Sequence, residues 1–545
     1  MKSLKYIFLV VLLVGGSVGC DEGFDEMNVN PNTVTTAEVN HLFTYALNQT
    51  TGSGVDYLKY WSNFIYHYHW FNQVTGRGSN NELIELNTIW TDENLWGKFF
   101  GTGMQELVQI QKQIDDLPED QRALNANRYA LPLIVKVYKA HELVDVYGDI
   151  PYSDAFKGRL TTDPVFKPLY DTQEAVIDQM LSDLKSAKDM IDVSIDDAFN
   201  YNDADIWFDG DLTKWKKFAN SLRLRIAMRL SEVNPSKAGQ VITEILSDAD
   251  GVMESNDDSF LFEHHADGRF VGARGYIDQG DTKFAGEPVV DFMYDNADPR
   301  LRIYYFENEY TPELCADLGL TYNARRFYGG PSSPDEIADN QILFRERSPE
   351  NGIYDTLSRV NPRFFDNRVD GHTGQAYDQF LNYAEVCFLK AEAAVRGFTS
   401  DDPQTWYENG IRASIETQFF IAEQAGVENW VPLAANEIDD YIASADVAWD
   451  AGKGLELIMV QSWLNSFKDA ILTWNNWKRT GFPNENTTPA MRPLHSNGTL
   501  LEIPTRYRYP DGELVTNETN LTQAIDRQGG TAFNTLYGRV WWDVD

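Results

Sequence analysis

Apolar residues recur at intervals of three and four along several stretches of the chain, the spacing that puts one face of a helix into a core. In NRYALPLIVKVYKAHELVDVYGDIPY the stripe is Ala130, Leu133, Ile134, Val137, Val144 and Tyr147, with Gly148 and Pro151 placed to end the helix. In YDTQEAVIDQMLSDLKSAKDMI it is Ile177, Met180, Leu181, Leu184 and Ile191, and Asp171 with Glu174 reads as a capping-box-like start. LTKWKKFANSLRLRIAMRLSEVNP repeats the pattern through Trp215, Phe218, Leu222, Ile226 and Leu230 and is expected to stop at Pro235, with the shorter helix SKAGQVITEILS after it. DQFLNYAEVCFLKAEAAVRG followed by PQTWYENGIRASIETQFF reads as a further pair. Antiparallel pairs of this size, with alanines where helices approach closely, predict a mostly α fold of the tetratricopeptide kind, although that repeat's consensus is not met cleanly.

Between and after these helices the periodicity fades. Residues 255–375 and 480–545 are rich in Gly, Pro, Asn and aromatics and read as long irregular stretches. Loops of that length inside a compact chain are usually functional or disordered, and the aromatic content argues against disorder. No Pro/Ser/Gly linker or low-complexity tract divides the chain, so one large unit is expected over 41–545.

The N-terminus reads differently. Lys2 and Lys5 precede an unbroken apolar run, Tyr6 to Val14, and small residues follow at Gly15, Gly16, Ser17 and Gly19. This is the layout of an export signal, and it falls short of the roughly 20 apolar residues that span a bilayer. Ser17-Val18-Gly19-Cys20 resembles a bacterial lipobox, which makes residues 1–19 the removed segment and Cys20 the acylated new N-terminus. Acyl chains on that residue would hold the protein on a membrane, each buried CH₂ contributing about 0.8 kcal/mol. Asp21, Glu22, Asp25 and Glu26 then begin an acidic tether over 20–40, similar to the surface-export signal of Bacteroidetes-type lipoproteins.

Charge removes a class of partners. The chain carries 46 basic and 83 acidic residues, a formal charge of −37, and loss of residues 1–19 takes away two lysines and no acid. A nucleic acid would be repelled, because binding it requires clustered Lys and Arg. Beyond Cys20, only Cys315 and Cys387 remain; their separation is no metal spacing, and whether they pair is left open. Cys387 shares a helix face with Ala384, Ala391 and Ala394, which reads as a packed core thiol.

Four segments carry a family resemblance: DVYGDIPYSDAF at 145–156, NYAEVCFLKAEAAVRG at 382–397, LNSFKDAILTWNNWKRTGFP at 464–483 and IPTRYRYPDGELVTNETNL at 503–521. In this order, and with DEGFDEMNVNPNT after the cysteine, they resemble the SusD/RagB family of outer-membrane nutrient-binding lipoproteins. The resemblance implies four tetratricopeptide-like helix pairs as a scaffold, with long irregular loops on the opposite side carrying a glycan. It also implies a partner, a SusC-like TonB-dependent transporter, and a lipid-anchored, surface-exposed location on the outer membrane. The signature positions themselves read as structural: Gly148 and Pro151 end a helix, Arg479 can stack on Trp474 or Trp477, and Pro510-Asp511-Gly512 is a turn signal.

Sugar recognition needs flat aromatic faces beside amides, carboxylates and guanidinium groups. The stretch from 60 to 100 concentrates aromatics: Trp61, Phe64 and Tyr68 fall on one helical face and read as core. Trp70, Asn72, Gln73 and Arg77 lead into a Gly/Ser/Asn loop, and Trp90 and Trp96 flank its return. Trp70 and Trp90 are the candidate sugar platforms, with Arg77 beside them. Arg274 and Tyr276 in HHADGRFVGARGYIDQGDTKF and Tyr328 in NARRFYGGPSS complete the ligand-binding candidates. Two rivals stand beside the glycan reading. RagB-type members of the family take up peptides on the same architecture. A surface glycoside hydrolase would need two carboxylates flanking a glycosidic bond, and pairs such as Asp257 and Asp258 or Asp401 and Asp402 arise by chance among so many acids. No enzyme is therefore expected, and no catalytic residue or cofactor is assigned. His67 and His69, or His264 and His265, lack a matched third metal ligand, while a structural Ca²⁺ in an acidic loop such as ESNDDSFLFE is left open.

Overall fold

The computed structural model describes residues 37–51, 73–77, 88–158, 164–264, 283–308, 311–319, 321–322, 324–333, 335–336, 357–364, 375–428 and 430–544. The export signal, Cys20 and most of the acidic tether lie outside them.

Eight helices form the scaffold, as four consecutive pairs: α1 (Ala126–Tyr147) with α2 (Gln173–Met190), α3 (Leu212–Met228) with α4 (Pro235–Leu246), α5 (Tyr383–Val395) with α6 (Pro403–Gln424), and α7 (Gly454–Asn465) with α8 (Ala470–Thr480). Contacts of α2 with α3, α3 with α5, and α5 with α7 join the pairs into one stack. The predicted stripes are its core: Ala130, Ile134, Val137, Ile177, Met180, Leu184, Trp215, Phe218 and Leu222 are all 1% exposed or less. Among the described residues the core has two large clusters, and α5 is the wall between them. Its Val386 and Leu389 face the N-terminal cluster, while Ala384, Phe388 and Ala391 face the C-terminal one. Cys387 is buried and unpaired, as is Cys315, and burial pushes the Cys387 thiol up to about 12.

Four local expectations are corrected. The N-cap of α2 is Thr172, whose hydroxyl accepts from the Ala175 N–H at 3.3 Å, because the Asp171 carboxylate is already engaged by the backbone N–H groups of Tyr152 and Ser153. α3 ends at Met228, before Pro235, which starts α4 at a position where a missing N–H costs nothing. Pro510 is the N-cap of a helix over Asp511–Thr516, so the turn signal opens a helix. Arg479 does not stack on an indole: it is buried against the Glu392 carboxylate, and Lys478 lies over the Trp474 ring at 3.8 Å instead.

The segments that carry the family resemblance meet one another. Asp145 on α1 accepts from Arg229, the C-cap of α3, at 2.9 Å and from Asn475 of α8 at 3.2 Å, while the Lys478 ammonium donates to its carbonyl at 3.0 Å. Arg506, fully buried, donates to the Tyr147 carbonyl at 3.0 Å and to that of Phe533 at 2.9 Å. These signatures are therefore the contacts that close the scaffold.

Among the described residues three two-stranded ladders lie off the helices: β1 (Thr75–Arg77) with β3 (Lys283–Ala285), β2 (Phe260–His264) with β4 (Ala376–Leu381), and β5 (His495–Ser496) with β6 (Thr499–Leu500), all antiparallel. The second ties the end of the first two helix pairs to the start of α5, with an irregularity between Phe260 and Leu261. Among the described residues no helix is long and apolar enough to cross a membrane.

Candidate functional site

The β1–β3 ladder is where the candidate loops start and return. Arg77 is the register partner of Lys283, so the stretch after β1 and the stretch before β3, which contains Arg274 and Tyr276, leave from the same end of the ladder. At the other end Gly286 donates its N–H to the Val74 carbonyl at 3.0 Å and bridges to Gly330. Glycine is required there, because a Cβ on Gly286 would sit 1.9 Å from the Gln73 carbonyl oxygen. The segment holding Tyr328 is fastened next to it: the Ser358 N–H donates to the Tyr328 carbonyl at 2.8 Å, and the Tyr328 N–H donates to the Ser358 hydroxyl at 3.1 Å. Four distant parts of the chain, near 75, 285, 328 and 358, thus form one platform.

Tyr328 is half-buried, beside buried Phe284 and Leu357. The Arg325 guanidinium lies 5.1 Å from the centre of its ring and 4.4 Å from that of Tyr294. Arg325 is held in that position by Asp291 and by the Phe327 carbonyl, to which its Nε donates at 2.7 Å. A planar cation held beside two aromatic rings fixes a rigid surface of flat side chains. Arg326 and Arg359 stand on the same platform, the latter 5.5 Å from the Phe306 ring.

Of the six candidates, Arg77 has its backbone in β1 of the ladder and Tyr328 lies in the segment fastened to its other end. Trp90 is the third residue of the helix Thr88–Gly101, and its neighbour Trp96 is core, packed against Tyr147 at 5.2 Å and Tyr509 at 6.0 Å. Trp70, Arg274 and Tyr276, like Trp61, Phe64, Tyr68, His67, His69 and His265, lie outside the described residues. Tyr294 and Arg325 escaped the sequence reading: Tyr294 sits in an ordinary amphipathic helix, Glu287–Asp295, and nothing in its spacing says that an arginine 31 positions later covers its ring. Among the described residues there is no group of three His, Cys, Asp or Glu side chains that could hold a metal ion.

The stacked helix pairs, with a platform of loop and ladder residues packed against their C-terminal core cluster, make a helical-repeat scaffold. The profile of the SusD-like family described as "Starch-binding associating with outer membrane" matches residues 31–510, and the chain belongs to that family. Among solved structures it is similar to a chitin-binding protein, at 26% identity and a TM-score of 0.74 over 93% of this chain and 100% of the other. A chitin-binding SusD homologue from Flavobacterium johnsoniae shares the fold at 22% identity and a TM-score of 0.70, covering 93% of this chain and 99% of that one. A SusD homologue from Bacteroides fragilis does so at 23% and 0.67, with the same coverage. Comparison with curated proteins gives no match.

Proposed function

We propose that the protein is a non-catalytic, glycan-binding lipoprotein of the outer-membrane surface that passes oligosaccharides to a SusC-like TonB-dependent transporter. The observation that carries this reading is the end-to-end likeness to a chitin-binding protein, at an identity above that of the other relatives described. The Arg325–Tyr328–Tyr294 platform supports it, since stacked aromatic and guanidinium groups suit sugar rings and hydroxyls. In this reading Trp70, Trp90, Arg77, Arg274, Tyr276 and Tyr328 contact the ligand, and acylated Cys20 with its acidic tether keeps the domain at the surface.

Two experiments test it. The first is a binding screen of the full chain against chito-, malto- and manno-oligosaccharides and a peptide library. Binding of an oligosaccharide is expected, and binding of peptides alone refutes the ligand class. The second is isolation from detergent-solubilised outer membranes, where a β-barrel transporter should co-purify. Recovery as a lone monomer under mild detergent counts against the partner.

A further inference from the structure

A second cleft lies on the other side of Gln73, between the C-terminal end of α8 and the segment 483–503. It encloses about 220 Å³, with Trp477, Glu485, Met491, Arg492 and Leu500 among its lining residues. Its walls are set without a ligand. Gly481, in the left-handed conformation at φ 70°, ends α8 and turns the chain into the wall. Gln73 donates from its amide to the Arg492 carbonyl at 2.6 Å and accepts from the Arg492 N–H at 2.9 Å, so one side chain clamps the segment to the start of β1. The Arg492 guanidinium donates to Glu287 at 2.6 Å, and the Met491 N–H donates to the Asn484 carbonyl at 2.9 Å.

What is left unused inside these walls has a consistent chemistry. Trp477 is half-buried, with one side packed on the core, and its indole N–H has no hydrogen bond among the described residues. The Glu485 carboxylate is exposed and has no partner among them either. Leu500, 63% exposed at the edge of the β5–β6 hairpin, extends the apolar side of the cleft. An aromatic face, an N–H donor and a free carboxylate acceptor around a small concave volume match a ring with one C–H face and a rim of hydroxyls. The charge balance narrows the class. Arg492 is neutralised by Glu287 while Glu485 is not, so a uronate or sulfated sugar would bring like charge against like.

We propose that this cleft is a second carbohydrate subsite, which takes a neutral pyranose against the Trp477 indole with Glu485 accepting from its hydroxyls. It rests on the glycan reading above and adds a position to it. Because Gln73 belongs both to the cleft and to the approach to β1, one oligosaccharide engaging both sites would hold the second at high effective concentration.

The test uses the full chain with neutral hexasaccharides of N-acetylglucosamine, glucose and mannose, and a galacturonate hexamer as the anionic probe. Affinity is read by calorimetry and contact by hydrogen exchange of the peptide covering 483–503. A neutral hexasaccharide should slow exchange in that peptide. Glu485→Ala should weaken its affinity about 5-fold, the usual size of one hydrogen bond, and Leu500→Arg should weaken it comparably. Trp477→Ala should weaken it ten-fold or more. If Trp477→Ala does not fold because of its core contacts, the two exposed variants carry the result. A neutral glycan that binds with unchanged exchange at 483–503, and at full affinity to Glu485→Ala and Leu500→Arg, overturns the subsite and leaves the glycan reading standing. Preferential protection of the cleft by the galacturonate hexamer overturns the neutral class. Failure of every hexasaccharide to bind overturns the glycan reading and the subsite with it.

Discussion

Glu392 on α5 is the side chain whose removal should be felt most widely. It is fully buried, and it accepts from both terminal nitrogens of Arg479 on α8, one of them at 2.8 Å, and from the Arg396 Nε at 2.7 Å. Arg479 also donates to the Ser231 hydroxyl beyond α3 at 2.9 Å, so three helix pairs meet at this carboxylate. Burial by itself raises the Glu392 carboxyl, but Arg479 and Arg396 outweigh it and hold it at about 2, against an ordinary value of 4.5. A carboxyl lowered that far on folding contributes about 3 kcal/mol at neutral pH. That contribution is complete above pH 4.5 and is lost as the pH falls through 4.5 towards 2. Glu392→Gln removes the charge and leaves the Arg479 guanidinium buried without its counter-ion, a change that costs about 3 to 5 kcal/mol. Urea unfolding followed by tryptophan fluorescence should show that loss at pH 7 and a shrinking difference from the unaltered chain between pH 4.5 and 3. A loss below about 1 kcal/mol at pH 7, or one that does not change with acidification, would refute the reasoning.

Three further outcomes are expected. Gly148→Ala should cost about 2 kcal/mol or more of stability, because its φ of 87° disfavours a side chain and the new Cβ would lie 2.2 Å from the Gln528 Oε1 that accepts the Asp149 N–H; a melting temperature within a degree of the parent would contradict this. Trp70→Ala and Trp90→Ala should each weaken glycan binding by roughly 5- to 150-fold, corresponding to about 1 to 3 kcal/mol for a lost stacking platform. Their urea midpoints should barely move, and lower stability at unchanged affinity would return both residues to the core. Cys20→Ala should abolish lipid labelling and move the protein out of the membrane fraction, and labelled Cys20→Ala protein at the cell surface would refute the anchor.

Helix periodicity is a local property, and the chain displays it openly: the stripes of α1, α2 and α3 could be drawn from spacing alone, and all their residues except the half-buried Leu133 are found buried. The segments resembling the SusD/RagB family hold polar residues, Asp145, Arg506 and Arg479, that the core tolerates only because each finds its partner. Which partner each would find was not legible. Arg479 beside two tryptophans looked free to stack on an indole, whereas the tertiary fold brings it a carboxylate from 87 positions earlier, and a buried charge gains far more from a counter-ion than from a ring. The candidate site divides in the same way. Its loops announced themselves by composition, but the platform is made by four segments more than 200 residues apart at their extremes, so Tyr294 against Arg325 and Gln73 against Arg492 exist only once the ladder has formed. Sequence spacing fixes which residues share a face of one element; which faces meet is decided by the packing of the whole chain.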